Sequence, residues 1–198
     1  MRNVLQEEAA VKKAIQEPLV VRKASMPDIH GLLGLINGYA AKGVMLPRTE
    51  FEMSENIRDF TLVFSGKRMV GCGALHFYTP TAAEIRSLAV DPDGKGMGIG
   101  RVLVTALEEE ARHFRLHCIF AFTYVPQFFA RMGFSEVERG ELPLKAWKDC
   151  LRCPKFQSCD EIAVIKYLVP RDHLQLSTST VAERNTPLFT FPVLRNKT

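Results

Sequence analysis

The sequence predicts an α/β protein built on one mixed sheet with helices on both faces. Three observations indicate this class. Strand-like and helix-like apolar patterns alternate along the chain, and two strand-like segments flank 65–68, a turn typical of an antiparallel hairpin. A strand, a glycine-rich loop and a strongly amphipathic helix then follow in that order, as in sheets covered by helices.

The individual elements follow from the spacing of apolar residues. Helices are expected where apolar residues recur at three- and four-residue steps: at 28–40, more weakly at 54–60, strongly from 102 to 111, and briefly at 126–132. Short runs rich in Val, Ile and Phe predict strands at 19–24, 61–64, 69–77, 84–90, 119–122 and 162–165.

Length and composition predict one globular domain. The chain has 198 residues, of which 46% are hydrophobic and 24% charged, and a chain of this size can bury a core without disulfides. We expect an N-terminal extension at 1–18, a folded domain at 19–169, and a C-terminal tail at 170–198 that is rich in Ser, Thr and Asn and therefore mobile.

Charge and hydropathy argue against several classes of partner. The net charge of +4 comes from basic residues spread along the chain, so no nucleic-acid track is expected. No run of about 18 apolar residues exists and the N-terminus lacks a signal-peptide pattern, so we expect no membrane partner and a cytoplasmic protein. The sequence leaves open whether the protein forms a homodimer.

A glycine-rich segment carries the first functional signal. Asp91-Pro92-Asp93-Gly94-Lys95-Gly96-Met97-Gly98-Ile99-Gly100 joins a strand to a helix. Backbone N–H groups at the positive end of a helix dipole hold phosphate or pyrophosphate. The alternative is a tight turn that uses glycine only for its geometry.

This segment resembles the signature of the GNAT superfamily of N-acetyltransferases, Gln/Arg-x-x-Gly-x-Gly/Ala after a strand that ends in Val-x-Pro. Here Lys95 stands where the family usually has Gln or Arg. The resemblance implies a mostly antiparallel sheet and acetyl-CoA as cosubstrate. It also implies cofactor binding by two groups: the loop residues Lys95, Gly96, Met97, Gly98, Ile99, Gly100 and Arg101, and the strand residues Leu88, Ala89 and Val90.

Further segments are similar to the bacterial amino-acid N-acetyltransferases that make N-acetylglutamate for arginine synthesis, in their short form. These segments are 21–24, 45–48, 84–90, 123–134 and 142–147. The resemblance implies small-molecule partners, acetyl-CoA and L-glutamate. Three alternatives stay open: another amine, a protein N-terminus as acceptor, or a non-catalytic acyl-CoA-binding or metal-sensing module.

Acetyl transfer to an ammonium requires a base. Glu84 is the candidate, because it begins the strand that leads to the glycine loop and the family often places a general base there. The alternative is a solvated carboxylate at a strand start. Many relatives protonate the leaving thiolate with a Tyr where this chain has Phe128 and Phe129, so Tyr124 is the substitute candidate for the acid.

A dicarboxylate acceptor requires cations, and Arg is the usual partner of a carboxylate. Arg48 follows the first helix, where the family builds its acceptor pocket. Arg86 lies two strand positions after Glu84 and so on the same face. It either binds substrate or pairs with Glu84.

Three cysteines near the end of the domain, Cys150, Cys153 and Cys159, have a spacing suggestive of a metal site. A fourth ligand is missing from the pattern. Zinc is therefore considered but not favoured over packed thiols, and we predict no metal cofactor.

Overall fold

The computed structural model describes residues 17–142 and 153–170, and every structural statement below concerns these residues. Seven strands form one sheet in the order β1-β2-β3-β4-β5-β7-β6. The strands are β1 (Leu19–Lys23), β2 (Phe60–Ser65), β3 (Arg68–Thr79), β4 (Ala82–Val90), β5 (Cys118–Thr123), β6 (Ser135–Glu136) and β7 (Ile162–Tyr167). Each described pairing is antiparallel except that of β4 with β5. The predicted mixed, mostly antiparallel sheet is confirmed.

Four α-helices flank the sheet in the described residues: α1 (Ile29–Ala40), α2 (Glu50–Asn56), α3 (Ile99–His113) and α4 (Pro126–Ala130). Single 3-10 turns lie at Met26–Asp28, Ile57–Asp59, Pro92–Gly94, Arg139–Glu141 and Phe156–Ser158. No described helix is long and apolar enough to cross a membrane.

The helices cover opposite faces because neighbouring strand residues point to opposite sides of a sheet. Leu62 of β2 packs in a cluster with Leu32 and Ile36 of α1. The next residue, Val63, packs instead with Leu103 of α3. Helices on both faces, as predicted, therefore bury the sheet in two apolar layers.

Two elements differ from the sequence prediction. The weak helix expected at 54–60 is α2 at Glu50–Asn56, because Thr49 and Glu52 form a capping box that starts the helix earlier. The strand β6 was not predicted, since its two residues are too few to show an apolar alternation.

The expected domain limits stay a prediction. The N-terminal residues up to 16 and the tail from 171 lie outside the described residues, as does Cys150.

Candidate active site

The site begins where β4 and β5 stop pairing. Their parallel ladder joins Ala82–Glu84 to Cys118–Phe120 only, although β4 continues to Val90 and β5 to Thr123. A cavity of about 750 Å³ lies at this gap and is lined by both strands, by residues 43–48 after α1, and by several residues of 153–161.

A β-bulge shapes the β4 side of the gap. Ser87 and Leu88 together oppose the single residue Gly73 of β3, and Ser87 has a φ of +52°. Past the bulge, the amide of Asp91 donates to Val70 of β3 at 2.9 Å. Backbone groups alternate in an antiparallel ladder, so those of Val90 point away from β3, toward the gap.

A side chain of α1 confirms this orientation. The hydroxyl of Tyr39 donates to the carbonyl oxygen of Val90 at 2.6 Å. The amide of Val90 lies on the same edge as this carbonyl. The backbone of Val90 is thus turned away from β3, although Val90 itself does not line the cavity and, of the three strand residues predicted to face a bound thioester, only Leu88 does.

The glycine loop leads into α3 as predicted. Gly98 is the N-cap residue with a φ of +79°, and Gly96 has a φ of +82°, a conformation that favours glycine. The amides of Lys95 and Met97 donate within the loop, each at 3.3 Å. The amides at the start of α3, from Ile99 to Arg101, have no acceptor in the preceding turn of the helix. They form a positive helix terminus suited to an anion.

Two ammonium groups lie near the ring of Tyr39, and one of them, that of Lys95, belongs to the loop. Lys95 Nζ lies 5.3 Å from the centroid of the Tyr39 ring, and Lys42 Nζ lies 5.7 Å from the same centroid. Sequence reasoning missed both Tyr39 and Lys42, since neither belongs to the glycine motif.

Glu84 is buried within the cavity wall, with 1% of the residue exposed. Its Oε2 accepts a hydrogen bond from the hydroxyl of Tyr78 at 3.1 Å. The solvated strand-start alternative is therefore wrong. A buried carboxylate in the wall of a cavity is a group that can act as a base toward a ligand bound there.

Arg86 lines the same cavity as Glu84, as expected for residues two positions apart. Its Nη2 lies 3.3 Å from Oδ1 of Asn56 and 3.7 Å from Oδ2 of Asp59. Asp59 also accepts a short contact of 2.6 Å with Nδ1 of His76. The guanidinium is thus held by the end of the α2 segment.

Arg48 lines the same cavity. The side chain of Asn37, in α1, binds the Arg48 backbone twice. Asn37 Nδ2 donates to the Arg48 carbonyl at 3.0 Å, and Asn37 Oδ1 accepts from the Arg48 amide at 2.8 Å. The backbone from which the guanidinium extends is thereby fixed.

Tyr124 is at the cavity and is 37% exposed. Lys155 Nζ lies 3.3 Å from the Tyr124 hydroxyl and 4.8 Å from its ring centroid. Burial and the carboxylates of Glu161 and Asp160 raise the pKa of Tyr124, while the hydrogen bond from Lys155 acts in the opposite direction. The phenol therefore keeps its proton at neutral pH.

Cys153 and Cys159 line this cavity as free thiols. Across the described ranges, 17–142 and 153–170, no three His, Cys, Asp or Glu residues converge as a metal site. Arg139 closes the wall by donating to the carbonyls of Cys159 and Glu161. Cys153 and Cys159 thus contribute to a pocket wall.

Comparison with known proteins identifies the family. Residues 38–134 match the acetyltransferase (GNAT) family. An uncharacterized N-acetyltransferase of Chlorobaculum tepidum is 41% identical over 148 residues, which are 75% of this chain and 96% of that protein. The chain belongs to the GNAT acetyltransferases.

Two further relatives refine this placement. An amino-acid acetyltransferase of Mycobacterium tuberculosis is 38% identical over 123 residues, 60% of this chain and 70% of that one. The structure of N-acetylglutamate synthase from Neisseria gonorrhoeae, complexed with coenzyme A and N-acetyl-glutamate, matches with a TM-score of 0.70 at 24% identity. The match covers 78% of this chain and 36% of that one and shows the shared fold.

As a GNAT acetyltransferase, the chain is an enzyme that uses acetyl-CoA as acyl donor. The structure brings six predicted site residues of this acetyltransferase to one cavity: Arg48, Glu84, Arg86, Leu88, Lys95 and Tyr124. The remaining predicted cofactor residues do not line it. Among these, the side chain of Ala89 is buried in the α1 layer, whereas Gly96, Met97 and Gly98 are exposed at the loop and Arg101 is exposed on α3.

Sequence reasoning missed several residues of the site: Asn37, Tyr39, Asn56, Asp59, Arg139 and Lys155. They lie on elements far from the glycine loop in the sequence. Of these residues, only Asn37 is unusual in its local sequence, because Asn is a weak helix former and here lies within an amphipathic helical pattern.

Proposed function

We propose that this GNAT enzyme acetylates the α-amine of L-glutamate and releases N-acetyl-L-glutamate and CoA. The observation that carries the proposal is the joint placement of one buried carboxylate, Glu84, and two guanidinium groups, Arg48 and Arg86, around one cavity. A carboxylate suits the ammonium of the acceptor, and the guanidinium groups suit its two carboxylates.

The cofactor is proposed to lie along the gap. Its pyrophosphate is held by the amides at the start of α3 and by Lys95, because that helix end is positive and unpartnered within the helix. Its acyl end follows the β4 edge of Leu88 and Val90, where a backbone amide can donate to the thioester oxygen as negative charge develops. The Tyr39 contact keeps this edge in place.

The acceptor is proposed to occupy the rest of the cavity. Arg48 approaches from the loop after α1, and Arg86 approaches from β4 with its guanidinium braced by Asn56 and Asp59. In this proposal Arg86 binds substrate while Asn56 and Asp59 hold its guanidinium. Two cations that come from separate elements, the loop after α1 and β4, fit a ligand with two separated carboxylates.

The chemistry is a direct transfer in a ternary complex. Glu84, directly or through a water, accepts a proton from the ammonium, and the freed amine attacks the thioester carbonyl carbon. A C–N bond forms, the attacking nitrogen releases its second proton to solvent, and the C–S bond breaks as the tetrahedral intermediate collapses. The thiolate takes up one proton, for which Tyr124 is the candidate donor because its phenol is protonated and lies at the cavity.

The name of the mycobacterial relative supports an amino acid as acceptor. Acetylation of glutamate would place the enzyme at the start of arginine synthesis, as the sequence resemblance implies.

The test measures thiol release from acetyl-CoA with a panel of L-glutamate, L-glutamine, L-aspartate, spermidine and a short peptide with a free N-terminus. We expect kcat/KM to be highest for L-glutamate. A higher value for any other member assigns that acceptor instead. Absence of turnover with the whole panel contradicts the proposal.

A further inference from the structure

Asn37 forms two hydrogen bonds with the backbone of Arg48 and lies outside the proposed catalytic groups. One side-chain amide uses its donor and its acceptor on the carbonyl and amide of a single residue, at 3.0 and 2.8 Å. Rotation of the backbone at 48 breaks at least one of these bonds. A single hydrogen bond leaves such a rotation free.

The segment that Asn37 holds needs a tether. Residues 44–49 form neither helix nor strand, yet residues 43–48 line the cavity. Immediately after Arg48, the cap of α2 fixes the chain, since Glu52 accepts from the amide of Thr49 at 2.9 Å. Arg48 is therefore anchored on its own backbone and on the residue that follows.

Local structure does not explain an asparagine at this position. Asn37 lies within α1, three residues before its end, where Leu or Ala would favour the helix more. Its side chain reaches the loop at 48. The Asn37 side chain thus stabilises the loop, although asparagine has a lower helix propensity than Leu or Ala.

We propose that Asn37 is a positioning residue, which fixes the backbone of Arg48 so that the guanidinium meets a carboxylate of the acceptor. This inference rests on the proposed function, in which Arg48 binds the acceptor. Tyr39, two residues later, holds the donor strand through Val90. The end of α1 thus supports the acceptor loop and the donor strand through separate contacts.

The test compares the full-length parent with Asn37→Leu, which keeps a similar volume, improves helix propensity and removes both hydrogen bonds. We expect the KM for L-glutamate to rise roughly five- to tenfold, the effect of losing about one net hydrogen bond. The kcat and the affinity for CoA should stay close to the parent values. If L-glutamate is not turned over, the amino acid with the highest kcat/KM in the panel takes its place.

A second readout does not depend on activity. Trypsin cleaves after Arg48, whose carbonyl is held by Asn37, so Asn37→Leu should be cut there faster than the parent under native conditions. Gly34→Ala is the matched control, because a Cβ at Gly34 meets nothing within 4 Å and lies on the same helix. It should match the parent in KM and in cleavage rate.

The Arg48→Ala variant separates the two proposals. A parental KM in Arg48→Ala shows that the proposed role of Arg48 is wrong, whatever Asn37 does. A raised KM in Arg48→Ala with parental KM and parental cleavage in Asn37→Leu overturns the inference. In the double variant, Asn37→Leu should add nothing to the Arg48→Ala effect on KM, and full additivity also overturns it.

Discussion

The hydroxyl of Tyr39 lies 2.6 Å from the carbonyl oxygen of Val90, which joins the end of the first helix to the end of β4. This contact occurs where β4 has lost its parallel partner. A strand edge without a partner strand exposes polar backbone, and the gap in this sheet is the cavity in which we propose the reaction. This edge of β4 therefore lacks the hydrogen bonds of a partner strand, and the same edge is where we propose that the cofactor binds.

Cofactor binding is tested at Gly98. Asp at this position adds a Cβ where φ is +79° and a negative charge at the positive end of α3. We expect Gly98→Asp to abolish CoA binding in a calorimetric titration. Gly98→Asn is the matched control, because Asn has the same shape, tolerates this conformation and carries no charge. Equal CoA affinities for the two variants contradict an anion site at the loop.

The proposed base is tested by Glu84→Gln. The amide keeps the shape and the contact with Tyr78 but cannot accept a proton from the acceptor, so turnover at neutral pH should fall roughly 10²-fold with CoA affinity intact. Higher pH should recover part of the rate, since more of the free amine is then neutral. Tyr78→Phe is the control, which should lower turnover less. Equal pH–rate profiles for Glu84→Gln and the parent would make Glu84 structural.

Acceptor recognition is tested at Arg48. Loss of a charge-assisted bidentate contact costs about 2–3 kcal/mol, so Arg48→Ala should lower kcat/KM for glutamate roughly 30- to 150-fold. Arg48→Lys should recover only part, because an ammonium lacks the planar fork. Acetyl-CoA affinity should hardly change. A weakened cofactor with an intact glutamate KM would place Arg48 on the donor side.

The proton donor is tested by Tyr124→Phe. If the phenol protonates the leaving thiolate, kcat should drop at least tenfold while KM for both substrates is kept. Burial raises the pKa of Tyr124, so the parent rate should show no loss from its ionisation through neutral pH. Lys155→Met is the comparison variant, because it removes the cation that contacts the Tyr124 hydroxyl and keeps the phenol itself. An unchanged kcat in Tyr124→Phe leaves proton delivery to water.

Acid stability is tested at Asp28, just before α1. Its carboxylate binds both terminal nitrogens of Arg22, at 2.7 and 2.8 Å, and this contact holds the pKa of Asp28 well below its usual range. The pair therefore stabilises the fold above the unfolded-state pKa of about 3.9, and the contribution is lost as pH falls below it.

The variant Asp28→Asn should lower the free energy of unfolding at pH 7 by about 1 kcal/mol, a modest value because Arg22 is 42% exposed on its side chain. Urea titrations of the parent and the variant at pH 7 and at acid pH measure the free energy of unfolding. The parent should lose more stability than the variant on acidification. Equal losses contradict the assignment.

The sequence was sufficient where the signal is local. The periodic apolar residues of α1 and α3 and the alternation along the strands predict elements that the structure contains, because burial of one face requires that spacing. The glycine loop is equally local, since its geometry and the helix start that follows are set by neighbouring residues. The family resemblance drawn from these segments is confirmed by the comparisons.

By itself, then, the sequence determined the mixed sheet, the glycine loop at the start of α3, and the residue types needed at a reacting centre. Only the tertiary structure decided that Glu84 is buried, that Arg86 turns to Asn56 and Asp59, and that Asn37 holds Arg48. The reason is that these contacts join residues distant in sequence. They depend on where β4 and β5 part and on how α1 packs against the sheet, and no local periodicity records either.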